Sequence, residues 1–478
     1  MQMISINNPA RRSVLGDQLR RNAQHHPDAE AFVALGPRRA LTYAQLNVAA
    51  NRQANALLAR GIGRGDVVAL LGTNSLELFT VVWGALKAGA AVTAINPGFT
   101  ARERDYQITS SGAKLVIEEA LPGDDESEPD IELGDEDVAL ISYTSGTTAL
   151  PKAVVLAHRS YTAGTIPAFR GALGFQPGAR FYYVMPLHTI AGLGTQISLI
   201  ANGATVVLPG GEPPLSVLTG ERITHIAQTP TFYLQLSRLP EFADADLSSL
   251  QRCITYGGTM PRTMFEAFAA VAPNMEWTTL WGQSEMAQTF TCGSFRSPDD
   301  IPGGDAAWIG RPVPQLELRV VDEDGNDADE GEMLCRTPAL MLGYLNDPER
   351  TAATVRDGWL HTNDLVRRSP EGDYFFVDRC HDVIKTGGMN VSSVEVERVL
   401  YAHDAVLEAA VVGMSDDYWG QVVTAFVVAR DAVTTEALVV HCKTDLAAYK
   451  VPKVVHFVDS LPKDAQGKIL KRQLRAGV

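Results

Sequence analysis

Between Leu41 and Asn96 the chain changes its hydrophobic period three times, and this narrows the choice of fold more than any other feature. LTYAQLNVAANRQANALLARGI has apolar residues at helical spacing, DVVALLG is a buried run of strand length, SLELFTVVWGALKAG is helical, and AAVTAIN is again a strand. Strands alternating with helices predict a parallel sheet covered on its faces. The rhythm returns in ARFYYVMP, GATVVLP, ITHIAQTPTFYLQL and RCITYGG, so two α/β halves are expected. Beyond Trp308 the pattern turns to strands and turns (IGRPVPQLELRVVDEDGN, GEMLCRT), the mark of a smaller β-rich unit. From SSVEVERVLYAH onward, helices and strands alternate over a length that folds alone. The predicted boundary lies near His381, giving a 1–380 unit and a 381–478 unit.

Composition agrees with this size. A chain of 478 residues, 45% apolar and 20% charged, has the material for two or three packed units and too little charge for wholesale disorder. The net charge of −15 argues against a general nucleic-acid surface. Five scattered cysteines, with no CxxC pair, spell neither a disulfide framework nor a zinc cluster. No export signal or spanning helix is expected, because the start lacks a long apolar core and Lys87 and glycines interrupt the most apolar window. A cytoplasmic location is the default. Residues 118–137 carry eleven acidic residues and no basic one, which reads as a solvated connecting loop.

Ile141 to His158 (ISYTSGTTALPKAVVLAH) reads as a strand, a hydroxyl- and glycine-rich loop, a lysine and a second strand. Backbone N–H groups, hydroxyls and one ammonium can surround a polyphosphate. The GxxxxGK[ST] spacing is missing and no helix follows, so an ordinary polar turn is the alternative for this loop alone.

This loop resembles the YTSGTTGxPKGV segment of the adenylate-forming enzymes, the superfamily of acyl-CoA and aryl-CoA synthetases, luciferases and peptide-synthetase adenylation domains. Thr144, Ser145, Gly146, Thr147, Thr148 and Lys152 match, while Ala149 and Ala153 replace glycines. Four segments follow in the family's order. TYGGTMPRTM is similar to the glycine pair along adenine and the acyl pocket, which implies roles for Gly257, Gly258 and Thr259. LWGQSE resembles YGxTE, implying Trp281 and Gly282 at adenine, Ser284 at a phosphate and Glu285 as the Mg²⁺ carboxylate. DGWLHTND resembles DGWxxTGD, implying that Asp364 holds the ribose, with Asn363 where glycine is usual. DRCHDVIKTGGMNVSSVEVE resembles the hinge segment, implying Arg379 as a second ribose or phosphate ligand, His381 as pivot, and Gly387 and Gly388 along the CoA or acceptor channel. Last, LPKDAQGKILKRQLR is similar to the C-terminal PKTxxGK, which makes Lys468 the catalytic lysine.

The resemblance implies an α/β fold. Its large N-terminal domain has two sheet-and-helix halves and a β-rich subdomain, and a small mobile C-terminal α/β domain carries the lysine. ATP and Mg²⁺ are the implied cofactors, with CoA as co-substrate. Physically, a carboxylate must attack the α-phosphorus of ATP, and both reactants are anionic, so neutralising charge dominates. The flexible stem of Lys468 suits that, with Lys152 and the metal on Glu285 facing the leaving group. No general base is needed, because the carboxylate is already ionised at neutral pH.

MPLHTIAGLG resembles PLFHxxGL, with Thr189 at the usual histidine position and His188 one residue early. By family analogy the pocket walls come from His188, Thr189, Phe232, Tyr233, Tyr256, Met260 and Met286. That lining points to an aryl, arylpropenoyl or medium acyl acid. The reading is an AMP-forming acid–CoA ligase. The alternatives are a diazotase that activates nitrite and converts an aromatic amine, a ligase loading a carrier protein, and a non-catalytic nucleotide-binding scaffold. The implied partners are a small-molecule acid, with neither nucleic acid nor a membrane span, and self-association is left open.

Overall fold

The computed structural model describes residues 12–144, 151–256, 262–416, 418–463 and 469–476. Among them, a six-stranded sheet is built from the first half. The strands Val67–Leu71, Ala91–Ile95 and Leu115–Ile117 run parallel, as the alternating text requires. Helix Tyr43–Leu58 packs against helix Leu76–Ala88, which lies on the sheet, and each is started by a hydroxyl cap, Thr42 and Ser75. The second helix is apolar all round and buried along nearly its whole length, so it is a core element.

The second sheet is larger than the text suggests. His225–Gln228, Arg252–Thr255 and Glu276–Gly282 run parallel in its middle, and the β-rich unit is continuous with it through Trp308–Pro312. The halves also exchange strands. Glu30–Ala34 pairs with Thr205–Leu208 of the second sheet, while Gly343–Tyr344 returns to the first sheet beside Lys152–Ala157. Expectation and structure differ here because hydrophobic period reports a strand but not its neighbour.

The acidic segment is the solvated connecting loop its charge suggests, and it is also fastened. Residues 118–137 form no regular element yet are strapped to the helix beneath. Gln53 bonds Leu121 at both N–H and C=O, Asn51 donates to the Glu126 carbonyl, and Asn55 donates to the carbonyls of Asp125 and Ser127. The buried ammonium of Lys87 reaches Glu128 at 2.7 Å. The backbone carbonyls are held by the helix while most carboxylates face outward into solvent.

A separate five-stranded sheet begins at Ile384 and holds Val406–Asp416 and Gly420–Ala429, with helices Ser393–Tyr401 and Thr435–Asp445. Asp378 joins it to the rest of the chain by accepting from Ser393 N–H at 2.6 Å and Oγ at 2.8 Å. No described helix is long and apolar enough to cross a membrane.

Candidate active site

The mouth of the first sheet carries the first cation. Strands Val138–Thr144 and Lys152–Ala157 are antiparallel and place Thr144 opposite Lys152. Ala153 sits in a regular, buried strand position, so a glycine's freedom is not needed there. The Lys152 ammonium lies 5.2 Å from the centre of the Tyr344 ring. Burial holds its pKa below the ordinary lysine range, and the nearby Glu285 carboxylate opposes that shift. Tyr344 donates to Glu285 Oε1 at 2.8 Å, so one aromatic side chain positions both the ammonium and the carboxylate. A cleft of about 470 Å³ opens beside them, lined also by Tyr106, Tyr143 and Arg350.

The second cluster centres on Asp364, which is fully buried. Strands Trp359–Arg368 and Tyr374–Arg379 place Asp364 opposite Arg379. Arg379 Nε stands 2.7 Å from Oδ1, while Trp281 Nε1 and Gln283 Nε2 donate to Oδ2 at 2.9 and 3.0 Å. Three segments far apart in the chain therefore converge on one carboxylate. Asn363 has φ +57°, a left-handed backbone that asparagine tolerates better than most residues, which accounts for it at a glycine position. Gly282 lies at the end of the Trp281 strand, and Ser284 and Glu285 form the short turn that follows.

The histidine segment resolves by hydrogen bonding. Thr189 is buried and caps helix Ile190–Ala201, its Oγ1 accepting from Gly192 N–H at 2.9 Å. Its hydroxyl is therefore engaged as a helix cap. His188 Nε2 is buried without a partner among the described residues, and burial lowers the imidazole pKa. Two other expected wall residues are buried in the described structure. Tyr233 is fully buried, with its hydroxyl on the carbonyls of Ile226 and Ile254, and Met286 is fully buried in the main core. Apolar character alone cannot separate a wall from a core. Phe232 is half-buried against Tyr182, and Tyr256 is exposed.

His381 is exposed, 3.8 Å from Asp382, whose carboxylate also holds Arg475 of the last helix at 2.5 Å. Gly387 and Gly388, with φ of +55° and +79°, form the two-residue turn of a hairpin. Ser145, Gly146, Thr147, Thr148, Gly257, Gly258, Thr259, Met260 and Lys468 lie outside the described residues.

Sequence reasoning did not single out Gln283, Tyr344 or Arg350. Gln283 stands within the LWGQSE segment itself, but Tyr344 and Arg350 carry no local signal and acquire meaning only through the strand exchange. The Glu285 carboxylate fits Mg²⁺, an ion that takes one or two carboxylates and completes its shell with water and phosphate. The described residues hold no denser ligand cluster.

Comparison with known proteins agrees with this geometry. The AMP-binding enzyme family matches residues 19–345, and the AMP-binding enzyme C-terminal domain matches residues 395–468. A long-chain-fatty-acid–CoA ligase, FadD13, of Mycobacterium tuberculosis is 32% identical over 96% of this chain and 98% of its own. 4-Coumarate–CoA ligase 2 of Oryza sativa subsp. japonica is also 32% identical, covering 94% and 90%. The structure of O-succinylbenzoate CoA synthetase from Bacillus subtilis in complex with AMP superposes with a TM-score of 0.84 at 26% identity, over 96% and 98% of the two chains. With both family domains matched in order across a single carboxylate-centred site, the chain belongs to the adenylate-forming AMP-binding enzymes.

Proposed function

We propose that this enzyme is an ATP-dependent, AMP-forming carboxylic acid–CoA ligase acting on an aryl, arylpropenoyl or medium acyl acid. The observation that carries the reading is the convergence of Trp281, Gln283 and Arg379 on Asp364, which prepares one buried carboxylate to receive the ribose hydroxyls. In the first half-reaction the acid's carboxylate attacks the α-phosphorus, and pyrophosphate leaves. Lys152, with Thr144 and the loop residues after it, faces the departing phosphates, and Lys468 bridges the attacking carboxylate and the α-phosphate. Glu285, fixed by Tyr344, would hold Mg²⁺, which supplies charge neutralisation on the phosphates when bound.

In the second half-reaction a thiol attacks the acyl-adenylate carbonyl and AMP leaves, forming the thioester. For this the 381–478 unit turns about His381 and withdraws Lys468. The Gly387–Gly388 turn then offers bare backbone to the pantetheine arm of CoA. Relatives named as CoA ligases support the acceptor, and five free cysteines suit a reducing cytosol.

The test is incubation with Mg-ATP, CoA and separate pools of carboxylic acids, following AMP, pyrophosphate and thioester. The expected result is acid-dependent release of AMP with a matching thioester. AMP release that depends on nitrite and an aryl amine, with no need for CoA, overturns the reading.

A further inference from the structure

Two backbone irregularities and a helical glycine meet at one buried point near Glu285. Ser160–Thr165 is a π-helical turn, a form that recurs at functional sites. Ala287 and Gln288 are consecutive non-glycine residues with φ of +46° and +68°, a strained pair two and three residues beyond Glu285. Thr165 Oγ1 donates to the Ala287 carbonyl and ties the two together. The third is the bare Cα of Gly194, where an added Cβ would stand 2.2 Å from Gln288 Oε1 and 2.7 Å from the Tyr161 hydroxyl.

The polar atoms gathered there are unsatisfied. The Tyr161 hydroxyl, on a fully buried residue, and Gln288 Oε1 are each buried without a partner among the described residues. The amide orientation of Gln288 is fixed by its other end, where Nε2 donates to Thr195 Oγ1 at 3.2 Å. A buried donor and a buried acceptor left this way are destabilising, and a bound group supplying both bonds removes that cost. The surroundings are otherwise apolar, with Leu193, Met286 and Phe290 in the same core.

We infer that Tyr161 and Gln288, meeting over Gly194, read a hydroxyl on the far end of an aromatic carboxylic acid. The phenolic oxygen accepts from Tyr161, and its proton is donated to Gln288 Oε1. Length agrees with this: Gly194 lies five residues along the helix capped at Thr189, on the order of 7 Å from the His188 end. That is the reach of an aromatic acid, not of a long acyl chain. The inference rests on the acid-activating reading above and narrows its substrate class.

The experiment compares kcat/KM for AMP release across benzoate and cinnamate, their 2-, 3- and 4-hydroxy derivatives, and hexanoate to dodecanoate. One hydroxylated acid is expected to exceed its parent by roughly 100-fold or more, because a site built to bond a hydroxyl rejects the analogue lacking it. Tyr161→Phe is expected to reduce that ratio at least tenfold. It should also melt no lower than wild type, since it deletes an unpartnered hydroxyl; Gln288→Leu should reduce the ratio as well. Equal or better use of unhydroxylated or aliphatic acids, or a ratio that Tyr161→Phe leaves intact, as a trapped water at this point would produce, overturns the inference while the ligase reading stands. Failure of every acid to yield AMP overturns both.

Discussion

Asp364→Asn separates what the buried carboxylate does for the fold from what it does for the nucleotide. The substitution keeps shape and removes charge. Oδ1 faces the Arg379 guanidinium at 2.7 Å, and Oδ2 faces two donors, Trp281 at 2.9 Å and Gln283 at 3.0 Å. The amide of asparagine has one acceptor and one donor, so either rotamer points N–H groups at N–H groups. Breaking a buried ion pair costs roughly 3–5 kcal/mol, and Arg379, 35% exposed, recovers part of that through water. A loss of about 2–3 kcal/mol follows, or a melting temperature lower by roughly 5 °C. The ribose hydroxyls also lose a charged acceptor, so AMP should bind at least about tenfold more weakly in calorimetry. Adding Arg379→Met removes the stranded cation and is expected to restore part of the stability but none of the affinity. A folded Asp364→Asn protein that binds AMP as wild type does would refute the assignment of this carboxylate to the ribose.

Further predictions address the cations and the core. Lys468→Ala should abolish acid-dependent pyrophosphate release while sparing CoA transfer from supplied acyl-adenylate; equal loss of both steps contradicts the division of labour. Lys152→Arg should move the alkaline limb of kcat/KM for ATP to higher pH, because burial lowers the lysine pKa and a guanidinium stays charged. Burial pushes the imidazoles of His158 and His225 down from 6.5 to about 4. The unfolded chain then binds protons that the folded chain refuses, so stability is full above pH 6.5 and is lost as pH falls toward 4, by up to roughly 3 kcal/mol per imidazole. Urea titrations between those limits should show that slope, and His225→Gln should reduce it.

Much of this was legible in the text because it depends on local order. The two strands around Lys152 follow from apolar runs flanking hydroxyls, and their antiparallel pairing sets Thr144 opposite Lys152. Asp364 was legible as a candidate for the ribose, but its partners were only half so. Trp281 and Arg379 stand in recognisable segments, whereas Gln283 looks like filler until the fold brings it against Asp364. Tyr344 is harder still. Nothing near LMLGYL suggests a catalytic neighbour, and its contact with Glu285 exists only because Gly343–Tyr344 crosses to the first sheet. The pocket residues are less legible for a different reason. Tyr233 and Met286 are as apolar as any wall residue, and a sequence does not report that both are fully buried.

The late return of Gly343–Tyr344 also bears on synthesis. Until that segment leaves the ribosome, the strand Lys152–Ala157 has a partner on one side only, and its open rim offers N–H and C=O groups to any neighbouring chain. Products truncated before residue 343 should therefore aggregate or engage chaperones, while those extended a few residues past it should resist protease. The same few residues that seal the rim deliver the tyrosine that fixes Glu285, so the carboxylate proposed for Mg²⁺ cannot be held in this position before the first sheet is safe from association.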